Sequence, residues 1–514
     1  MHTYITQVGG SVEAVINSLW MNALKKGSFP DKIYLLWNKE IKKYKESVKK
    51  AIEILSKEYD LQVDIDDNIT FDEDNISEFT KIHEDLIESE IDAGNKVTVD
   101  TTPGRKFMSG ISMKNIEKYG TEGYYLHLKN TTEFRYNWLP EIPTGLQNLV
   151  DIKEPETSTG PFSDKYINLG YMKKDIELNR EEIMVVLNNL VMQGKNEFNI
   201  SAGDNNKVDL CNIQLSIQGK NDIAKVEIKA PNNEKLGAKI GNTSTIRTLM
   251  QYSGIFDMYA PADNNEFEED LNEQEFFERV KDDLDTWNQA AYICYDTNAF
   301  LAGVPERFEK YREKYFPSVK PLYLISGAVE NEIKNEKGKL PYDNNDHIYS
   351  NQPTPKDRMF KLGWGQLELL HKMNAHTISS YNTGDRAIKQ SLQYYLKNNN
   401  NKKVIFVTAD NNCYGMFVGM AGHNITPYFV RHRYSDKPTT SWSNISSLIY
   451  AMATYFGKIN VSEVGDILGV WKGKPARSWY DEYLQIKELD ESIVNAIQAC
   501  RKLSTYCSSK DIRG

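Results

Sequence analysis

The sequence lacks what several large classes of protein require. Its 514 residues contain no run of 18 apolar residues, so no segment is expected to span a bilayer and no membrane partner is expected. The opening residues, MHTYITQVGG, have no charged region followed by an apolar stretch, so secretion is not expected and the cytoplasm is the expected location. Five cysteines (Cys211, Cys294, Cys413, Cys500, Cys507) form no C-x-x-C pair, which points to reduced thiols and away from a disulfide framework or a zinc site. No G-x-x-x-x-G-K-[ST] loop occurs, which excludes a nucleotide-driven motor of that type. His371 and His376 are not spaced as a metal pair, and His423 reads as structural in an apolar turn. Repeats, coiled-coil heptads and long low-complexity tracts are also missing.

What is present is the composition of a folded chain, 40% hydrophobic and 26% charged. At about 100–200 residues per domain, the length allows two to four domains. The net charge of −10 is unevenly spread. Residues 263–285 carry 11 acids against 2 bases, whereas Arg431 to the end carries 12 bases against 9 acids. An acidic total therefore leaves room for local basic surfaces, and nucleic acid is not excluded as a partner.

The hydrophobic patterning predicts an α/β protein. Residues 1–155 alternate strand and helix: YITQV, a helix from Val12 to about Leu24, KIYLLW, helices near 39–57 and 76–92, then the strand Lys96 to Asp100 and a helix near Arg105. Such β-turn-α repeats predict a parallel, Rossmann-like sheet. KEPETSTGPFSD (153–164) reads as a boundary. Residues 156–288 are expected to form a small α+β connecting region, with a helix near 180–193, a hairpin of VDLCNIQLSIQG and IAKVEIKAP, and an acidic helix. A second α/β unit is expected at 289–435, with strands AYICYD, LYLIS, VIFVT and ITPYFV. The tail, 436–514, shows no strand pattern and reads as helical. Within it, 459–484 faintly suggests a helix-turn-helix with Lys472, Lys474 and Arg477, beside the plainer reading of packed helices.

Four acids of the second unit stand at matching places. Asp296 ends its first strand, Glu332 follows the second, Asp385 opens a helix, and Asp410 ends VIFVTAD. Strand carboxyl ends of a parallel sheet converge on one crevice, so acids distant in sequence can meet there. Packed carboxylates repel unless a divalent cation neutralises them, and an all-oxygen set suits Mg²⁺ or Mn²⁺. Such an ion lowers the pKa of a bound water and stabilises attack on a phosphodiester. An Asp at a strand-to-helix turn can also be a plain N-cap, and that reading stays open for each of these acids taken singly. Asn298 stands where a two-aspartate phosphatase needs its second Asp.

The series YDTNAF, AVENEI, GDRAIKQSL and VTADNN, closed by MAGHNITPYFV, resembles the PIN nuclease domain over about 140 residues. The resemblance implies that Asp296, Glu332, Asp385 and Asp410 carry a catalytic metal site, with Thr297, Asn298 and Thr408 holding the carboxylates. Glu330 competes with Glu332 by spacing, and the family's Glu-aliphatic pair favours Glu332-Ile333. A loop inserted around 337–356 departs from minimal PIN domains.

Two loops leave strands of the first sheet. Gly9-Gly10-Ser11 opens a helix, where backbone N–H groups and the helix dipole favour an anion, although a simple turn is the plainer reading of the glycines alone. Asp100-Thr101-Thr102-Pro103-Gly104-Arg105-Lys106 combines hydroxyls, a glycine and two cations, which suits phosphate or ribose recognition. VTVDTTPGRKFMSG resembles the D-x-T-x-G-x-K-x-M motif of CRISPR-associated Rossmann fold (CARF) sensors, and QVGGSVEAVINSL resembles their first ligand loop. That resemblance covers about 150 residues and implies a dimer binding cyclic oligoadenylate. Gly9, Gly10, Ser11, Asp100, Thr101, Thr102, Gly104, Arg105 and Lys106 would line the pocket, with Asn38 a further candidate. Pro103 stands where many relatives have Gly.

Together these readings lead to the expectation of a homodimeric, cyclic oligoadenylate-activated, metal-dependent endoribonuclease cutting single-stranded RNA in type III CRISPR defence. Two alternatives stay open: a nucleotide-sensing transcriptional regulator acting through the C-terminal segment, and a ligand-activated DNA nuclease.

Overall fold

The computed structural model describes residues 1–72, 74–154, 172–202, 208–229, 243–260, 270–287, 291–337, 355–380, 382–420, 424–471 and 483–509. The boundary at 153–164 beyond residue 154, the acids of 263–269, most of the inserted loop at 337–356, His423, and Lys472, Lys474 and Arg477 lie outside the described residues.

The first sheet arises as its alternation predicts. Its strands run in the order Asp64–Asp66, Lys32–Asn38, His2–Gln7, Lys96–Asp100, Glu122–Leu128, Gln147–Asp151, with Thr70–Phe71 also paired to Lys32–Asn38. All neighbours are parallel except the last pair. Continuous apolar runs such as Ile33, Leu35 and Leu36 are fully buried, as expected where helices cover both faces. The helix Val12–Lys26 starts at Ser11, whose hydroxyl accepts from Ala14 N, and stops at Gly27 in the left-handed region. It buries Trp20, which meets Tyr59 edge-to-face. The chain adds strands on one side of His2–Gln7, then crosses to Lys96–Asp100 on the other, so a switch-point crevice opens between those two strands.

The expected hairpin is present, with Val208–Gln218 antiparallel to Asn221–Ile228. It belongs to an eight-stranded antiparallel sheet whose other half comes from the tail. The order is Thr439–Thr440, Asn221–Ile228, Val208–Gln218, Glu197–Ala202, Lys458–Val461, Gly465–Leu468, Leu484–Asp490, Lys173–Leu178. The expectation of a strandless tail is therefore corrected, and the segment read as a faint helix-turn-helix opens instead with the hairpin Lys458–Val461 and Gly465–Leu468. Strands of four residues give too few alternations to show a period of two, and Lys458–Val461 is fixed by a partner more than 200 residues earlier in the chain. Against this sheet packs Trp442–Phe456, a helix buried on nearly every side. The tail's final helix is Glu491–Ser509.

The third body is inserted between Asn221–Ile228 and its partner Thr439–Thr440. Its five strands are all parallel, in the order His376–Ile378, Leu322–Ser326, Ala291–Tyr295, Lys403–Thr408, Ile425–Phe429. The short edge strand His376–Ile378 gave no sequence signal. Again the chain starts in the middle and reverses side, which places the crevice between the carboxyl ends of Ala291–Tyr295 and Lys403–Thr408. The acidic helix Glu273–Thr286 buries Phe276, Phe277, Val280 and Leu284; its half-buried Glu273 and Asp283 accept from Arg307 and Tyr428. It begins with a capping box between Asn272 and Glu275.

This body is tied to the antiparallel sheet by a two-pronged ion pair. Arg180 donates from Nη1 and Nη2 to Glu306 at 2.8 and 2.5 Å, and Gln366 Nε2 donates to the same carboxylate at 2.8 Å. Burial opposes the Glu306 charge, yet Arg180 and Lys310 hold its carboxyl well below the usual range.

Candidate functional site

The carboxyl edge of the inserted sheet carries the acids singled out by sequence. Asp296 follows Ala291–Tyr295 and is 1% exposed. It caps the helix Thr297–Leu301 by accepting from Ala299 N at 2.7 Å, and its other oxygen accepts from Thr408 Oγ1 at 2.5 Å. Asp410 caps Asn411–Val418, accepting from Asn412 N at 2.7 Å and Cys413 N at 3.1 Å, while Asn298 Nδ2 donates to its second oxygen at 3.3 Å. Thr408 Oγ1 also accepts from Asp410 N at 2.9 Å, so one hydroxyl joins the two acids. The capping role is thus real for both, and it coexists with a charge problem that capping does not solve.

That problem is visible in the titration of these groups. Burial, with Asp410 adding repulsion, pushes the Asp296 carboxyl up to about 7, despite hydrogen bonds from Thr408 and Ala299. Asp385, first residue of the helix Asp385–Asn398, is also raised, by burial and then by Asp410, while a hydrogen bond from Cys413 counters the shift. The buried Cys413 thiol is driven up by burial, then by Asp296 and Asp385. Asp410 therefore acts on both Asp296 and Asp385 across the crevice, and no Lys or Arg stands among the causes of those two shifts.

Glu332 joins this set indirectly, accepting from Thr297 Oγ1 at 2.8 Å. Glu330 instead faces Lys334 and His371, so the two competing glutamates have different surroundings. Among the described residues, no three or more His, Cys, Asp or Glu side chains are grouped closely enough to hold one ion. The donor chemistry nevertheless fits a hard divalent cation: all-oxygen carboxylates, with Asp410 repelling Asp296 and Asp385. Mg²⁺ is commonly held by only one or two carboxylates, with waters and a substrate phosphate completing its shell. Cys413 escaped sequence reasoning; its signal is its place three residues after Asp410, in the first turn of the capped helix.

In the first sheet the two loops meet at the switch point. A Cβ on Gly9 would lie 3.1 Å from Gly104 N, so the glycines let the loops touch. Gly104 has φ +99°, and a Cβ there would collide with Gln7 Oε1, so this position needs glycine. Gly10, Gly104, Arg105 and Lys106 are exposed at the rim, with Gly9 and Ser11 half-buried beside them. Asp100 and Thr101 lie beneath, fully buried. Asp100 accepts from Thr6 Oγ1 at 2.9 Å, Ser18 Oγ at 2.8 Å and Thr102 N at 2.9 Å. Thr101 Oγ1 donates to Tyr124 O at 3.0 Å, and Thr102 Oγ1 accepts from Leu126 N at 2.8 Å. These three residues shape the loop from below. Asn38 is buried as the N-cap of Lys39–Ile41, accepting from Glu40 N and Ile41 N, on the far side of His2–Gln7.

Sequence reasoning also missed the support under this crevice. Gln7 Nε2 donates to Ser112 Oγ at 2.8 Å, Ser112 meets His83 Nε2, and His83 Nδ1 meets Asn115 Nδ2. Burial lowers the His83 pKa to about 4, so its ring is neutral at pH 7. The available signal was a run of polar residues on inward-facing helix and strand positions.

Neither a scan against protein-family models nor a search of curated proteins matches this chain. Solved structures do match. Can2 from Sulfobacillus thermosulfidooxidans, in complex with cyclic tetra-adenylate, aligns over 88% of this chain and 96% of its own at 8% identity and a TM-score of 0.26. VC1899 from Vibrio cholerae aligns over 83% and 94% at 8% identity and a TM-score of 0.24. Csm6 from Enterococcus italicus, bound to cyclic hexa-2'-fluoro-hexa-dAMP, aligns over 25% of this chain at 14% identity and a TM-score of 0.21. This chain covers only 33% of that Csm6. Likenesses this distant leave the functional argument to the residues of the chain itself.

Proposed function

We propose that the protein is a cyclic oligoadenylate-gated, metal-dependent ribonuclease that cuts single-stranded RNA in type III CRISPR defence and works as a homodimer. The observation that carries this reading is the meeting of Asp296 and Asp410 on one Thr408 hydroxyl at the switch point of the inserted parallel sheet, where Asp410 repels both Asp296 and Asp385. A fold leaves acids in that condition where a cationic partner relieves it. Bound there, Mg²⁺ or Mn²⁺ would supply an activated water and charge neutralisation for phosphodiester attack. Asp296 and Asp410 would hold the ion, waters and a substrate phosphate would fill its other positions, Asp385 and Glu332 would stand beside it, and Thr297, Asn298 and Thr408 would fix the carboxylate orientations. No residue is placed as a covalent nucleophile.

The activator would sit over Gly9 to Ser11 and Gly104 to Lys106, its phosphates meeting backbone N–H groups, Arg105 and Lys106. Gating requires the activator to prefer the active arrangement, since equal affinity for both states shifts nothing. The Arg180–Glu306 clamp is the link through which motion of the antiparallel sheet would reach the inserted body. The test incubates labelled single-stranded RNA and DNA with the full chain and Mn²⁺, adding each cyclic oligoadenylate separately. Activator-dependent loss of RNA supports the reading. Loss of DNA alone would make it a DNA nuclease, and no cleavage of either would overturn it.

A further inference from the structure

The inserted body holds a second concavity that the reaction centre does not use. It has a volume of about 500 Å³ and lies between the helix Asp385–Asn398 and the edge strand His376–Ile378, reaching Tyr292 and Lys402. Its walls are aromatic: Tyr395 meets Tyr292 edge-to-face at 6.1 Å and tilts against His376 at 5.8 Å. Tyr394 projects beside them, 72% exposed. Lys402 Nζ stands 5.8 Å from the Tyr292 ring centre. Asn398 and Asn399 add amide groups at the rim. In a chain of net charge −10, none of the lining residues is Asp or Glu. The contrast is a larger cavity of about 1460 Å³ between the bodies, lined by seven glutamates against four Lys or Arg, which would repel a phosphate backbone.

We propose that this groove binds unpaired bases of a single-stranded nucleic acid, the part of the substrate that flanks the scissile bond. Exposed ring faces stack bases without regard to sequence, and an acid-free wall with a lysine tolerates the phosphates between them. A duplex hides its base faces, so this surface selects single strands. The groove and the reaction centre share one rigid ruler, because Asp385 opens the helix that carries Tyr394 and Tyr395. Ten residues at about 1.5 Å rise separate Asp385 from Tyr395 by about 15 Å. At a rise of about 3.4 Å per nucleotide, that distance spans about four nucleotides.

The inference rests on the nuclease reading, and its test separates the two. Binding of a fluorescein-labelled single-stranded RNA to the full chain is followed by anisotropy with EDTA present, so nothing is cut. Tyr394→Ala, which removes an exposed ring without opening the core, is expected to weaken binding about tenfold. Lys402→Glu should also weaken binding and flatten its salt dependence, whereas Tyr395→Phe, which keeps the ring, should bind as the parent does. Strands shorter than about four nucleotides should no longer respond to Tyr394→Ala in a cleavage assay. Unchanged affinity in both Tyr394→Ala and Lys402→Glu overturns the proposal, as does equal binding of a duplex or displacement of the strand by a cyclic oligoadenylate. RNA cleavage with a KM indifferent to Tyr394 removes the groove and keeps the nuclease. Binding that depends on Tyr394 in a chain that never cleaves does the reverse.

Discussion

The protein contains two parallel sheets built to one plan, and they end in different chemistry. In each, the chain starts in the middle, adds strands to one side, then crosses to the other, leaving a crevice between its first strand and the strand after the crossing. In the first sheet that crevice holds Asp100, answered by donors from Thr6, Ser18 and the Thr102 amide. In the inserted sheet it holds Asp296 and Asp410 across the gap, with Asp385 nearby. Burial raises Asp100 and Asp296 alike, but only Asp296 also has a second acid among the causes of its shift. The topology supplies a place; whether it binds an anion or a cation depends on whether its acids are answered by donors or by one another.

The largest expected effect breaks the inserted crevice alone. Asp296→Ala or Asp410→Ala should lower activator-dependent RNA cleavage by about a thousandfold, the loss of several kcal/mol of charge stabilisation, with activator binding unchanged by calorimetry. The mirror experiment targets the first crevice. Gly104→Ala forces a Cβ against Gln7 Oε1 at a left-handed backbone position, and should weaken activator binding by roughly ten- to a hundredfold without altering metal affinity. Lys106→Ala should likewise remove activation and leave the metal site intact.

A third pair of changes sharpens the contrast between the acids. Asp100→Ala removes the acceptor of Thr6 Oγ1, Ser18 Oγ and Thr102 N and should destabilise the first sheet by about 1–3 kcal/mol in urea unfolding. Asp296→Asn should stabilise the metal-free inserted body near pH 7, since it removes mutual repulsion.

The smallest effects concern pH, and two buried groups, His83 and Asp296, carry opposite signs. His83, lowered to about 4, binds its proton more readily when unfolded, so the first sheet loses stability as pH falls from about 6.5 toward 4. Asp296, raised to about 7, is protonated more readily when folded, so the metal-free inserted body gains stability as pH falls from 7 toward 4. Each slope is bounded by about 1.4 kcal/mol per pH unit. Urea unfolding across that range, repeated on His83→Gln and Asp296→Asn, should remove each group's own share of the slope, while His2, which burial also lowers to about 4, keeps its share in the first sheet.

Much of this was legible in the chain because both parallel sheets are built from local β-turn-α units. The helix Ile76–Asp92 and the strands Lys96–Asp100 and Leu322–Ser326 fall where the periodicity puts them. The acids at strand ends were equally readable, since strand-end position follows from the strand. What stayed hidden depends on distant pairing. Lys458–Val461 becomes a strand because Glu197–Ala202 offers it an edge, and His376–Ile378 because Leu322–Ser326 does. The saturation of Asp100 was hidden for the same reason, because its donors Thr6 and Ser18 come from other elements.

The most direct test of the account is a manganese titration of the full chain followed by electron paramagnetic resonance, with no RNA or activator present. The account predicts a site in the parent protein that is lost in Asp410→Asn, with Asp100→Asn binding as the parent does. Equal manganese binding in the parent and Asp410→Asn, or none in either, would contradict it.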